Sequence, residues 1–103
     1  MAAFLYEFEW DPLKAQSNIA KHGLDFERAA TVFLDPLALT IADDEHGGVE
    51  ARWITMGKDT TDRYVLVVHT FEALPDGNGR VRLISARRPT KTEVRDYEEP
   101  DET

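Results

Sequence analysis

The sequence predicts an α+β fold: two N-terminal helices packed on a four- to five-stranded antiparallel sheet, with a short C-terminal helix, in the order β-α-α-β-β-β-β-α. Three observations predict it. Phe4, Tyr6, Phe8 and Trp10 alternate with Glu7 and Glu9, the two-residue period of a half-buried strand. Residues 12–33 then carry apolar side chains at helical spacing, interrupted at Gly23. Four short apolar or alternating segments follow, and strands joined by links of turn length pair antiparallel.

Each element has its own signal. Asp11 offers a carboxylate to the free N–H groups of a first helical turn, and Pro12 fits that turn because its missing N–H is not needed there. Ala15, Ile19 and His22 share a face, and Gly23 supplies a left-handed stop, so the first helix is expected over residues 12–22. Asp25 caps a second helix in which Phe26, Ala29, Ala30 and Phe33 repeat, and Asp35-Pro36 stops it. Residues 37–41 read as a strand and Asp43-Asp44-Glu45-His46-Gly47-Gly48 as a polar loop. Residues 51–57 and 64–70 are strands, the second apolar enough to be central. Pro75-Asp76-Gly77-Asn78-Gly79 turns the chain into a last strand, where Val81, Leu83 and Ser85 alternate with Arg82, Ile84 and Ala86. Thr90-Lys91-Thr92-Glu93 has the form of a capping box and starts the closing helix. Residues 1–97 make one domain, with residues 98–103 as an acidic tail.

Composition narrows the function. With 103 residues, 42% hydrophobic, and no cysteine, the chain is expected to form one small domain without disulfides or thiolate-bound zinc. No apolar stretch is long enough to span a bilayer, and no basic segment precedes an apolar run at the start, so the reading is cytoplasmic with no membrane contact. The net charge of −8 argues against direct binding to duplex DNA. That charge is unevenly spread: residues 1–49 hold three basic and nine acidic side chains, residues 50–97 nine basic and seven acidic, and the closing six residues four acidic. Arg80, Arg82, Arg87, Arg88, Lys91 and Arg95 fall within sixteen residues, either as a basic face or as ordinary solvated charge.

The common catalytic signatures are absent: the chain has no phosphate-binding glycine loop, no His-Glu-x-x-His and no Gly-x-Ser-x-Gly. His22, His46 and His69, with Asp43, Asp44 and Glu45, match no metal-ligand spacing, so neither metal nor cofactor is expected. His22 follows Lys21 at a helix C-terminus, where the dipole favours positive charge; it serves either proton transfer or the loose carbonyls there. Glu50 and Arg52 are two apart on an expected strand and would share a face. If the last strand persists, Arg87 and Arg88 point to opposite faces, one toward a site and one anchoring the closing helix. Histidine, lysine, glutamate and several arginines are what RNA cleavage by its own 2′-hydroxyl needs: a base, cations for the phosphorane, and an acid. Spacing alone does not separate this set from surface charge.

The order of several motifs carries a resemblance. Phe8-Glu9-Trp10-Asp11-Pro12, Lys14-Ala15, Asn18, Lys21-His22-Gly23, Phe26-Glu27-Arg28-Ala29 and Val32-Phe33-Asp35-Pro36 are followed by Glu50-Ala51-Arg52, Gly57, Arg63, Leu66-Val67-Val68, Arg82, Ile84-Ser85-Ala86-Arg87, Glu93 and Tyr97. Together they resemble the BrnT toxins of type II toxin–antitoxin pairs. The resemblance implies a RelE-like ribonuclease that cleaves RNA and lowers translation and growth. It further implies a BrnA-like ribbon-helix-helix antitoxin as partner, a heterotetrameric complex, and DNA contact through the antitoxin alone. Its active surface would hold Lys21, His22, Glu50, Arg52, Arg63, Arg87 and Arg88, with Arg82 and Lys91 contacting RNA. A second reading keeps the fold, the antitoxin contact and a part in operon autoregulation without cleavage, because the segment 71–79 is longer and less basic than the family's hairpin and has Ala73 where an arginine is expected.

Overall fold

A computed structural model gives the fold over residues 6–43 and 50–98; the expected strand start at Phe4, the loop residues Asp44, Glu45 and His46, and the tail beyond Glu98 lie outside the described residues. The N-terminal signals form the helices they predict. β1 spans Tyr6–Trp10, and α1 spans Pro12–His22, with the Asp11 carboxylate accepting from the Leu13 N–H at 2.8 Å. Gly23 closes α1 at φ 67°, its N–H bonded to the Ile19 carbonyl at 2.8 Å. Asp25 caps α2 (Phe26–Ala30), accepting from the Arg28 N–H at 2.6 Å. α2 is shorter than the periodicity predicts. The Thr31 hydroxyl bonds back to the Arg28 carbonyl at 2.6 Å, and residues Thr31–Leu34 tighten into a 3-10 turn.

The sheet contains β1, β2 (Leu39–Ala42), β3 (Trp53–Lys58), β4 (Tyr64–Ala73) and β5 (Gly79–Arg87), in the spatial order β1-β5-β4-β3-β2. β2 through β5 pair antiparallel as their links predict. β1 corrects the all-antiparallel expectation: it lies parallel to β5, from Tyr6 opposite Gly79 to Trp10 opposite Leu83, so the sheet is mixed. No hairpin joins these two strands, and nothing local fixes their relative direction. β3 begins at Trp53, so Glu50 and Arg52 precede the strand on which they were expected.

One face of the sheet carries the core. Leu24, Phe26, Ala29 and Val32 from the helical layer meet Val65, Val67, Val81, Leu83 and Ala86 from the central strands, all buried. Asn18, inside α1 yet only 5% exposed, ties helix to sheet. Its amide donates to the carbonyls of Leu24 (3.0 Å) and Ala86 (2.9 Å), and its oxygen accepts from the Ala86 N–H at 3.0 Å. The side chain thus takes the place of a neighbouring strand. Gly57 suits the place where β3 passes close to residues 32–38, since a Cβ there would lie 3.0 Å from that of Ala38 and 3.3 Å from the Val32 carbonyl, tight enough that these neighbours would have to give way.

A register shift decides the rest. Along β4 and β5, Val68 faces Ser85 but His69 faces Leu83, leaving Ile84 as an extra residue in β5. The simple alternation puts Ser85 inward with Val81 and Leu83; with the bulge, Ala86 goes inward instead. Arg87 is thereby turned to the opposite face, across from Leu66. There α3 (Lys91–Glu98) meets it. The capping box forms as predicted, Thr90 N–H donating to Glu93 at 2.7 Å and Glu93 N–H to the Thr90 hydroxyl at 3.2 Å. Tyr97 from α3 stands edge-on to Tyr64 at 5.2 Å and donates to Asp35 at 3.2 Å. No helix among the described residues is long and apolar enough to cross a membrane.

Candidate active site

Because Val81 and Leu83 are buried in the core, Arg80 and Arg82 point to the opposite face of β5. Arg82 lies between Glu9 on β1 and Thr70 on β4, and Arg80 between Glu7 and Glu72. β4 continues past its last pair with β3, Trp53 opposite His69, so this end of the sheet is open on the β3 side. Glu50 lies there. The result is a polar cleft of about 410 Å³ lined by Glu9, Glu50, Thr70, Glu72, Arg80 and Arg82, with Phe71 at its rim.

The arginines of the last strand differ in what they hold. Arg80 pairs with Glu72 at 3.2 Å. Arg87 makes a two-pronged contact with Glu93, at 2.9 and 3.0 Å, which pulls the Glu93 carboxyl from 4.5 down to about 2. Arg88 donates to the Tyr64 carbonyl at 3.0 Å and reaches Asp59 at 3.4 Å. Burial pushes the Asp59 carboxyl upward, but donors from Thr61, the Arg63 N–H and Arg88 outweigh it and hold the group below its ordinary value. Among the described residues Arg82 is in no ion pair. Its guanidinium faces the cleft with donors to spare.

Of the residues predicted from sequence, the structure gathers two, Glu50 and Arg82, in one cavity. Arg87 and Arg88, both expected on the active surface, lie outside this cavity: Arg87 holds α3 through Glu93, and Arg88 holds the turn between β3 and β4 through Asp59. Lys21 and His22 are exposed at the end of α1, Arg63 is exposed before β4, Lys91 is exposed at the start of α3, and Arg52 is half-buried. Sequence reasoning missed Glu9, Thr70 and Arg80. The shared parity of Arg80 and Arg82 was visible in β5, whereas Glu9 enters through the parallel pairing of β1, and Thr70 faces Arg82 through the register that the turn sets between β4 and β5.

His69 is a satisfied core residue, 3% exposed. Its Nδ1 faces the Thr70 carbonyl at 3.0 Å, and a carbonyl only accepts, so Nδ1 carries the proton. Burial disfavours the imidazolium and lowers its pKa, leaving Nε2 to accept from the Thr55 hydroxyl at 2.7 Å. Thr55 in turn accepts from Thr40, also at 2.7 Å.

With this geometry in place, the comparisons decide the family. Residues 10–93 match the family of the ribonuclease toxin BrnT of type II toxin–antitoxin systems. The chain belongs to the BrnT family. The solved structure of the Brucella abortus ribonuclease toxin BrnT has the same fold, with a TM-score of 0.59 and 22% identity, over 84% of this chain and 99% of that one. No curated protein sequence matches. As a toxin family of type II pairs, BrnT implies an antitoxin as partner.

Proposed function

We propose that this BrnT chain, with a RelE-like fold, is an endoribonuclease that needs no metal ion and cuts RNA in the cleft between Glu50 and Arg82. The observation that carries the reading is the Arg82 guanidinium, in no ion pair among the described residues, in one polar cavity with Glu50 and Thr70. Arg82 binds the scissile phosphate and, with Arg80 once Glu72 yields it, stabilises the charge of the phosphorane. Glu50 takes the proton of the 2′-hydroxyl as it attacks the adjacent phosphorus, and the departing 5′-oxygen recovers a proton from solvent. Lys21, His22, Arg52, Arg63 and Lys91 contact the strand outside the cleft. Cleavage lowers translation and growth in the cytoplasm. A BrnA-like ribbon-helix-helix antitoxin neutralises the toxin in a heterotetramer and makes the DNA contacts.

The test is purified protein with RNA in the presence of a chelator, following 2′,3′-cyclic phosphate ends. The expected result is cleavage by the wild-type chain and its loss in both Arg82→Ala and Glu50→Gln. Unchanged cleavage in both variants sinks the assignment. One observation favours a second reading: Glu9, Glu50 and Glu72 set three carboxylates against two guanidiniums in the cleft, which disfavours an RNA strand. On that reading the chain is a silent antitoxin-binding module in operon autoregulation, and a folded wild-type protein leaves RNA intact.

A further inference from the structure

Next to the cleft, on the helix-bearing face at the open end of the sheet, Tyr6, Phe33, Trp53 and Phe71 surround a second cavity of about 240 Å³, completed by Thr40 and His69. Aromatic rings on this face of a small domain would ordinarily finish the core, as Trp10 does against Phe26 at 5.9 Å. Here three of them stay open to solvent: Tyr6 at 38%, Trp53 at 36% and Phe71 at 43%. Phe33 forms a fixed wall, edge-on to His69 at 5.0 Å and 5.4 Å from Tyr6. The polar contact is the Thr40 hydroxyl. Since it donates to Thr55, and Thr55 donates to His69 Nε2, Thr40 keeps only acceptor capacity toward the cavity.

We propose that this cavity holds one unstacked nucleobase of the RNA strand whose phosphate lies at Arg82, an inference that rests on the ribonuclease reading above. The two cavities share Phe71 as a wall, so a strand crossing the open edge of β4 meets guanidinium on one face and aromatic rings on the other. Protein sites for single-stranded RNA combine these two features: charge for the backbone, and aromatic faces on which a splayed base stacks. Size fits the same occupant. The cavity is below the ~300 Å³ at which sites for drug-sized ligands begin, which suits one flat ring system rather than a whole nucleotide. Thr40 receives a donor from the edge of the base.

The experiment uses the full chain and a short 2′-O-methyl oligoribonucleotide, which has no 2′-hydroxyl to attack, beside an abasic oligomer with the same backbone. Binding is read from tryptophan fluorescence or anisotropy. The wild-type chain is expected to bind the intact oligomer more tightly than the abasic one. Phe71→Leu and Trp53→Leu should each weaken the intact oligomer roughly tenfold or more, the usual loss for one stacked base, and leave the abasic affinity unchanged. Arg82→Ala should weaken both oligomers alike. If Trp53→Leu does not fold, Phe71→Leu at the exposed edge carries the test. Wild-type affinity for the intact oligomer in the folded aromatic variants overturns the base slot alone. Failure of the wild-type chain to bind either oligomer, with no cleavage of RNA, overturns the ribonuclease reading beneath it.

Discussion

The two ends of β5 carry the same residue type for different ends. Near its start, Arg82 faces an open cleft and is in no ion pair among the described residues. At its finish, Arg87 grips Glu93 through two hydrogen bonds and Arg88 reaches the buried carboxylate of Asp59. A guanidinium locked between a carboxylate and a carbonyl is a fastening; freeing it for a ligand first breaks the bonds that hold it. An arginine with its donors unspent is ready for a phosphate. Basic clustering in a sequence therefore marks where charge lies, and pairing decides which charges are available.

Substitutions at the two ends sharpen this contrast. Arg82→Ala is expected to lower RNA cleavage ~10²–10³-fold while leaving urea unfolding almost unchanged. Asn18→Ala acts at the closed end, stripping partners from Ala86 and Leu24, and should cost about 3 kcal/mol in urea unfolding because three buried backbone groups lose their bonds. A loss as small as that of a surface substitution would show that water replaces the amide.

Acid should separate the regions again. His69 is held neutral by burial, below its ordinary 6.5, so its contribution to stability is complete above that pH. As pH falls below 6.5 the unfolded chain takes up the proton first and stability drops; His69→Gln should flatten that part of the profile. Glu93 titrates lower. Its stabilising pair with Arg87 is complete above pH 4.5 and is lost as pH falls toward about 2. Both side chains are about a third exposed, so solvent screening leaves the pair worth about 1 kcal/mol. Arg87→Ala should therefore loosen α3, seen as faster amide exchange from Lys91 to Glu98, and remove the share of the acid dependence that Glu93 supplies, leaving that of Asp59 in place. Strong loss of cleavage with α3 protection intact would instead move Arg87 into the chemistry.

Much of the fold was legible because its signals are local. Asp11-Pro12 and Gly23 bound α1 at the residues where it begins and ends, and Thr90 with Glu93 forms the box that opens α3. Pairing was less legible. The alternation in β1 assigns its faces correctly, since Glu7 and Glu9 oppose Arg80 and Arg82, but a two-residue period says nothing about which strand lies alongside or in which direction. The candidate site suffered most, because it is assembled from β1, the approach to β3, and β4 and β5. Glu50 and Arg82 were in the predicted set, while Glu9 joins them through a long-range pairing that no local spacing records, and Thr70 through the register of the β4–β5 hairpin. Asn18 was visible as a polar residue inside a helix, but its partner at Ala86 was not.

Ile84 gives β5 an odd step. With it, Ala86 is counted inward and Arg87 outward; were the same residues to pair with β4 without the bulge, every side chain downstream would change sides. The guanidinium now held by α3 would be driven into the packed layer beneath the helices, and α3 would lose its clasp. Deleting Ile84 itself is the change this strand absorbs, since Ser85, Ala86 and Arg87 keep their partners on β4 once the extra residue is gone, and the stretch before it, with Arg82 and the cleft, keeps its orientation.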